Sequence, residues 1–246
     1  MAGPFEKIIT VYGRKPALEI LRDRSLPCYK LHLADSNRPA AILDELRKLA
    51  GQRGVEVAIH SKLELSRISR KGSQDQGVAL DILCPQFSRL QDVLEGSQDA
   101  PRRLIAADGI TNPQNAGMLI RSAVAGGIDG ILWPGNGNAA LGPLAVKASA
   151  GTLFRAPLIR CRELGAALGA LKEVGYRVYA LDAGASASLF DSAGDERAVY
   201  ILGNETHGPS REALALADGS LAIPMANGVE SLNVAVTAAL IAYLRR

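Results

Sequence analysis

From Arg103 onward, apolar runs of strand length alternate with helical stretches. LIAAD (104–108) precedes a helix over 113–125, ILW (131–133) a helix over 144–149, and APLI (156–159) a helix over 163–174. YRVYALD (176–182) and AVYILG (198–203) follow, then a helix after Pro209, LAIP (221–224) and a final helix ending near Arg245. Strands separated by helices cannot close as tight hairpins, so they pair through crossovers, which demands a mainly parallel sheet with helices on both faces. Ligands of such sheets sit outside the carboxyl ends of the strands. Polar residues placed just past a strand are therefore the first candidates for function.

The first part of the chain reads as a smaller α/β unit. It has helices over 15–24, 39–50 and 62–69, and strands over 28–33, 55–59 and 78–83. A polar loop, RKGSQDQ, precedes the last strand, and Cys84 and Pro85 close the unit. Residues 86–101, with Gly96, Ser97, Gln98, Asp99 and Pro101, are polar and weakly periodic, as in a connector with one short helix. The expected organisation is a domain over 1–85, a linker over 86–101 and a second domain over 102–246, reasonable for 246 residues.

Although 48% of the residues are apolar, no run approaches the roughly 20 uninterrupted apolar residues of a membrane span. The start, MAGPFEKIIT, has neither the apolar stretch of a secretory signal nor the Arg-rich character of a transit peptide, so the expected location is the cytoplasm, with no membrane partner. Cys28, Cys84 and Cys161 are odd in number and widely spaced, which fits buried thiols rather than a disulfide framework or zinc site. His32, His60 and His207 stand apart from one another and from cysteine, so no metal is expected. A formal charge of +3 does not by itself announce a nucleic-acid binder. Residues 1–84 nevertheless carry 14 Lys and Arg against 10 acids, and the remainder 14 against 15, which mildly favours an anionic partner for the first domain.

Three segments of the second domain place polar residues just past strands. In AADGITNPQNAGMLIRSA, Asp108 and Asn112 read as turn and capping residues. Arg121 lies in a small, apolar stretch, where it is either a fixed cation at the sheet end or a snorkelling surface side chain. Asn115 is six residues from Arg121, so the two converge only if Asn115 belongs to the loop or first helical turn. In YILGNETHGPSREAL, Gly203 permits close backbone approach to a ligand and Glu205 can accept its hydrogen bonds, while His207 reads as solvated. In LAIPMANGVESLNVAVTAALIAYL, Ser231 suits an N-cap. Asn233, inside a run of Leu, Val and Ala, reads as a buried amide needing partners.

Other chemistries lose support. GNGNAALG (135–142) misplaces its third glycine for a dinucleotide fingerprint and reads as a loop, leaving a nicotinamide-dependent oxidoreductase remote. The sequence contains no Gly-x-Ser-x-Gly elbow, no phosphate-binding loop ending in Lys and Ser or Thr, and no catalytic cysteine signature.

In order, NPQNAGMLIRSA, ILGNETHGPS and IPMANGVESLNVAV resemble the three signature motifs of the SpoU (TrmH-like) RNA 2'-O-methyltransferases of the SPOUT superfamily. Residues 1–84, with YGRKPALEIL and QGVALDI, resemble the ribosomal-protein-like substrate-binding domain often found ahead of that catalytic domain, except that Asp75 stands where a His is common before QGV. The resemblance implies an α/β catalytic domain tied in a deep trefoil knot, a homodimer, S-adenosylmethionine as cofactor and RNA as substrate. It maps the cofactor's backbone contacts to Leu202, Gly203, Ile223, Met225 and Leu232, and the catalytic polar set to Asn115, Arg121, Glu205, Ser231 and Asn233. The substrate-binding domain favours a ribose of large-subunit rRNA, commonly of a guanosine, over tRNA. A non-catalytic ribosome-assembly factor is the competing class, disfavoured by the intact polar set.

In this reading a ribose oxygen attacks a sulfonium methyl in line, so the protein mainly positions the reactants and helps remove a proton. Arg121 matches the family's catalytic Arg, but a guanidinium with a pKa above about 12 is a poor base. Either the site depresses its proton affinity or, as we prefer, Arg121 holds the adjacent RNA phosphate and steadies the developing alkoxide while phosphate or water takes the proton. Ser231 and Asn233 would orient ribose or cofactor, and Glu205 would hold Arg121 or a neighbouring loop.

Overall fold

The computed structural model describes residues 7–70, 72, 74–96, 101–191 and 197–244. Ser97, Gln98, Asp99 and Arg245, named above as connector and helix-end residues, lie outside these, as do Lys71 and Ser73 of the polar loop. The chain divides into two compact units between Pro85 and Gln86.

The first unit is a four-stranded mixed sheet. Its strands are β1 (Ile8–Tyr12), β2 (Cys28–Ala34), β3 (Glu56–His60) and β4 (Val78–Leu83), in the order β1-β4-β2-β3. Strand β4 runs antiparallel to β1 and β2, while β2 and β3 are parallel. Helices α1 (Arg14–Arg22) and α2 (Ala41–Gln52) bury Leu18, Leu21, Leu43 and Leu46. Helix α3 (Lys62–Ser69) starts in a reciprocal cap, the Ser61 hydroxyl accepting from the Glu64 N–H at 3.3 Å and the Glu64 carboxylate accepting from the Ser61 N–H at 2.9 Å.

Two expectations change here. The histidines are not isolated from one another: His32 Nδ1 and His60 Nε2 are 2.9 Å apart, and His32 Nε2 lies 3.1 Å from the Asp81 carboxylate, which also accepts from the Thr10 hydroxyl at 2.6 Å. Parallel pairing of β2 with β3 brings together residues 28 positions apart, which spacing along the chain cannot reveal. No group among the described residues has the makings of a metal site. Asp75, in place of the usual His, is buried and occupied, accepting from the Ser69 hydroxyl at 2.8 Å and the Gly77 N–H at 3.0 Å. It ties Gly77 and the end of α3 to its own loop.

Among the described residues the second unit is an eight-stranded sheet in which every pairing is parallel. In chain order its strands are β5 (Ser88–Arg89), β6 (Arg103–Ala107), β7 (Gly130–Pro134), β8 (Leu158–Cys161), β9 (Arg177–Leu181), β10 (Ala187–Ser188), β11 (Ala198–Leu202) and β12 (Gly219–Ala222). They lie in the order β10-β12-β9-β11-β6-β7-β8-β5. The segment expected as a connector supplies the edge strand β5 as well as α4 (Leu90–Leu94). Phe87, almost wholly buried beneath the Arg160 guanidinium at 4.9 Å, explains why it docks.

Helices α7 (Leu164–Glu173) and α8 (Arg211–Leu216) cover the sheet face that presents Leu104, Leu132, Val178, Val199 and Ile201. Helix α5 (Pro113–Ala125) packs instead against α6 (Pro143–Ala148) and α9 (Val234–Ala242). Gly126, ending α5, allows this closeness, because a Cβ there would come within 2.5 Å of the Ala242 side chain. Arg103 then donates to the carbonyls of Ile241 at 3.2 Å and Leu244 at 2.7 Å, closing the end of α9. No helix among the described residues is long and apolar enough to cross a membrane.

Candidate active site

The loops that follow β6, β9, β11 and β12 gather at the carboxyl end of the parallel sheet. Asp108, one residue past β6, accepts a hydrogen bond from the Ser210 N–H at 2.6 Å, and Asn204 donates from its amide to the Gly109 carbonyl at 2.9 Å. The same Asn204 accepts from the Thr206 N–H at 2.9 Å, and its backbone pairs both ways with Gly208, at 3.0 and 2.8 Å. The loop after β11 is thus a small closed hairpin fastened to the β6 loop.

Gly203 sits at the neck of that hairpin. A Cβ on it would lie 2.0 Å from the Pro209 nitrogen and 2.1 Å from the Gly208 carbonyl carbon. The close approach anticipated for a ligand is made first by the loop's own backbone, so a side chain here would break the loop before it touched anything bound.

Three of the sequence-predicted polar residues meet. Asn115, in the first turn of α5 after the capping residue Asn112, donates from its amide nitrogen to the Glu205 carboxylate at 2.5 Å. Its amide oxygen accepts from the Asn233 side chain at 3.4 Å. Asn233 is the N-cap of α9, accepting from the Ala235 N–H at 2.9 Å. It is exposed at the helix start, not a buried amide in the apolar run, and it rather than Ser231 caps the helix, because α9 begins only at Val234. One chain of hydrogen bonds therefore links all three motif segments.

Arg121 is exposed and its guanidinium makes no hydrogen bond or ion pair with any described residue. It does not join this group; of the two partners expected for Glu205, Arg121 or a neighbouring segment, the carboxylate takes the second, Asn115 at the start of α5.

Beside the polar chain lies a cleft of about 320 Å³. All five positions mapped to cofactor contact line it: Leu202 and Gly203 from one wall, Ile223, Met225 and Leu232 from the other. Glu205 and Ser231 line it as well, and the exposed His207 stands at its edge. Sequence reasoning passed over Asp182, Glu230 and Thr237, which also face the cleft, and over Asn204, the residue that builds the hairpin. Asp182 directly follows β9, so the rule of polar residues past strand ends could have found it. Away from the cleft, at the end of β8, burial above all, with the Glu163 charge adding to it, pushes the Cys161 thiol up to about 11, leaving it unreactive at neutral pH.

Residues 102–243 match the SpoU rRNA Methylase family, and residues 10–87 match the family described as RNA 2'-O ribose methyltransferase substrate binding. An uncharacterized tRNA/rRNA methyltransferase of Mycobacterium avium is 33% identical over 237 residues, spanning 96% of this chain and 76% of the relative. One of Mycobacterium tuberculosis is also 33% identical, over 94% of this chain and 72% of its own. Among solved structures, the SpoU methyltransferase AviRb from Streptomyces viridochromogenes superposes with a TM-score of 0.63 at 24% identity, covering 96% of this chain and 88% of that one. An AdoMet-bound rRNA methyltransferase from Sinorhizobium meliloti superposes at 0.62 with 22% identity, covering 96% and 86%. At such identities these two structures speak for the fold.

Proposed function

The chain belongs to the SpoU family of RNA 2'-O-ribose methyltransferases, and from that premise we propose that it moves a methyl group from S-adenosylmethionine to a ribose of large-subunit rRNA, in the cleft between the β11 and β12 loops. The observation that carries this reading is the meeting of three distant motif segments. Asn115, Glu205 and Asn233 form one hydrogen-bonded chain at the edge of a cleft lined by Leu202, Gly203, Ile223, Met225 and Leu232.

The cleft fits the cofactor. Leu202, Ile223 and Leu232 offer apolar walls for a flat base, and its carboxylates suit a positively charged sulfonium. When bound, the cofactor supplies an electrophilic methyl group. The chain's own residues supply geometry: Asn115 fixes Glu205, Asn233 fixes Asn115, and Ser231 offers a hydroxyl from the opposite wall. Arg121, with its guanidinium free among the described residues, is available to an RNA phosphate, where it would steady the developing alkoxide while phosphate or water accepts the proton.

The proposal extends to RNA binding by the first unit. Arg14 donates to the Gln76 carbonyl at 3.0 Å and the Asn37 side chain at 3.1 Å, setting a guanidinium between Lys15 in the first turn of α1 and loops that carry Arg38 and Arg70. It extends to a homodimer, supported by Met118, Val236 and Tyr243, exposed by 38, 46 and 65% on or beside the packed pair α5 and α9. It extends also to the trefoil knot, supported by the path of the chain from β12, beyond β9 in the sheet, to α9 on α5. The site of action is the cytoplasm, and guanosine is the proposed nucleotide.

The test is a radiolabelled methyl-transfer assay with calorimetry. Arg121→Ala should lose at least about a hundredfold in transfer, the scale of one transition-state charge contact, with cofactor affinity unchanged. Normal turnover in that variant would sink the assignment. Mapping ribose methylation in total RNA with and without the gene decides the substrate, and a site lost from tRNA would move it there.

A further inference from the structure

The charges around the cleft are one-sided. Asp182, Glu205 and Glu230 line it, with no Lys or Arg among its lining residues. Two of these carboxylates are already engaged: Asp182 accepts from the Gly184 N–H at 2.9 Å and Glu205 from Asn115. Glu230 is exposed and makes no hydrogen bond or ion pair with any described residue. It also lines a second hollow of about 420 Å³ that adjoins the first through Ala183, Ile223 and Met225. An unengaged anion therefore stands at the junction of the two, on the wall opposite the closed hairpin.

Building on the methyl-donor reading above, we infer that Glu230 is a specificity residue that makes the cleft distinguish the cofactor before transfer from the product after it. In the transfer, the ribose oxygen forms a bond to the methyl carbon, the carbon–sulfur bond breaks, and sulfur keeps the electron pair. The hydroxyl proton leaves to phosphate or water. The sulfonium cation thereby becomes a neutral thioether, and the ligand's net charge falls from +1 to about 0 by the ordinary ionisation of its amino and carboxyl groups. A cleft whose unpaired charge is negative holds the first species more tightly than the second. Loss of the methyl group thus weakens the product's own attachment, and exchange for fresh cofactor is favoured without a moving part.

The magnitude follows from Coulomb's law in a solvent-reached cleft. Two opposite unit charges separated by about 6 Å are worth roughly three- to tenfold in affinity at an effective dielectric between 80 and 40, and less at high salt. Calorimetry on the full chain should compare S-adenosylmethionine, S-adenosylhomocysteine and sinefungin, which carries an ammonium in place of the sulfonium. Glu230→Gln should weaken the two cationic ligands about three- to tenfold and leave the homocysteine affinity within about twofold. Glu230→Lys should push the same ratio further in that direction. In methyl-transfer assays, the Gln variant should be more easily inhibited by product. Equal weakening of all three ligands, or no change in any, would overturn the inference while leaving the methyl-donor assignment standing. A wild-type chain that binds none of them would overturn both.

Discussion

The two walls of the cleft are built on different principles. The loop after β11 closes on itself through the paired backbones of Asn204 and Gly208 and is fastened to the β6 loop through Asp108 and Asn204. Across from it, residues 224–231 are exposed, and their backbone closes a single described turn, Val229 N–H to the Ala226 carbonyl at 3.2 Å, through Asn227 and Gly228 at positive φ. The first wall is preformed by polar backbone pairing. The second offers apolar side chains, Ile223, Met225 and Leu232, whose burial depends on what enters. A rigid wall can orient a reacting group, and a loosely tied one can close over a cofactor.

Substitutions should separate the walls, most severely at the neck of the closed one. Gly203→Val should unseat the hairpin, abolishing cofactor binding and costing about 1–3 kcal/mol of stability as an overpacked site does. Calorimetry and thermal unfolding measure both, and an intact melting temperature would break the picture of a preformed wall. Asn115→Ala cuts the bridge between the walls. It should lower turnover roughly ten- to a hundredfold, with the cofactor dissociation constant little changed, because positioning is lost rather than binding area.

On the looser wall the effects are smaller. Met225, 36% exposed, has about a third of its side chain left to bury, so Met225→Ala should weaken cofactor affinity about three- to tenfold without shifting thermal stability. The smallest effect concerns the anchor of β12. Asp218 is held below the usual carboxylate range, mainly by its hydrogen bond to Lys172, and also accepts from the Val178 N–H at 2.8 Å. A carboxyl with a depressed folded pKa stabilises fully above its ordinary value, and the contribution disappears as pH falls through the folded value. Asp218→Asn should therefore flatten the acid side of the stability profile below about pH 4. An unchanged profile would remove Asp218 as the anchor.

Much of this was legible in the sequence because periodicity and strand-end polarity are local. The βα alternation and the polar segments past the ends of β6, β11 and β12 follow from runs of ten to twenty residues, whereas the positions mapped to cofactor contact came only through the family resemblance. What was missed is long-range. His32 and His60 meet only through strand register, β1 exists only by pairing with β4, and Ser88–Arg89 becomes a strand by pairing with β8, far along the chain. Asn233 looked buried because its neighbours are apolar, and its position one residue before the helix puts it in the open. Gly203 was singled out for close approach to a ligand, but spacing could not say that the loop's own Pro209 and Gly208 also press against it while it lines the cleft.

The Arg103 clasp on α9 gives the molecule an order of assembly. It joins residues 138 and 141 positions apart, and the helix it holds is capped by the residue that completes the polar chain. A nascent chain on a ribosome can form its early strands while synthesis continues. The second wall and the Asn233 link do not exist until residues 223–242 have emerged and settled against α5. On the reading proposed above, methyl transfer in this cleft cannot begin before those residues are in place, whatever the first unit has already bound.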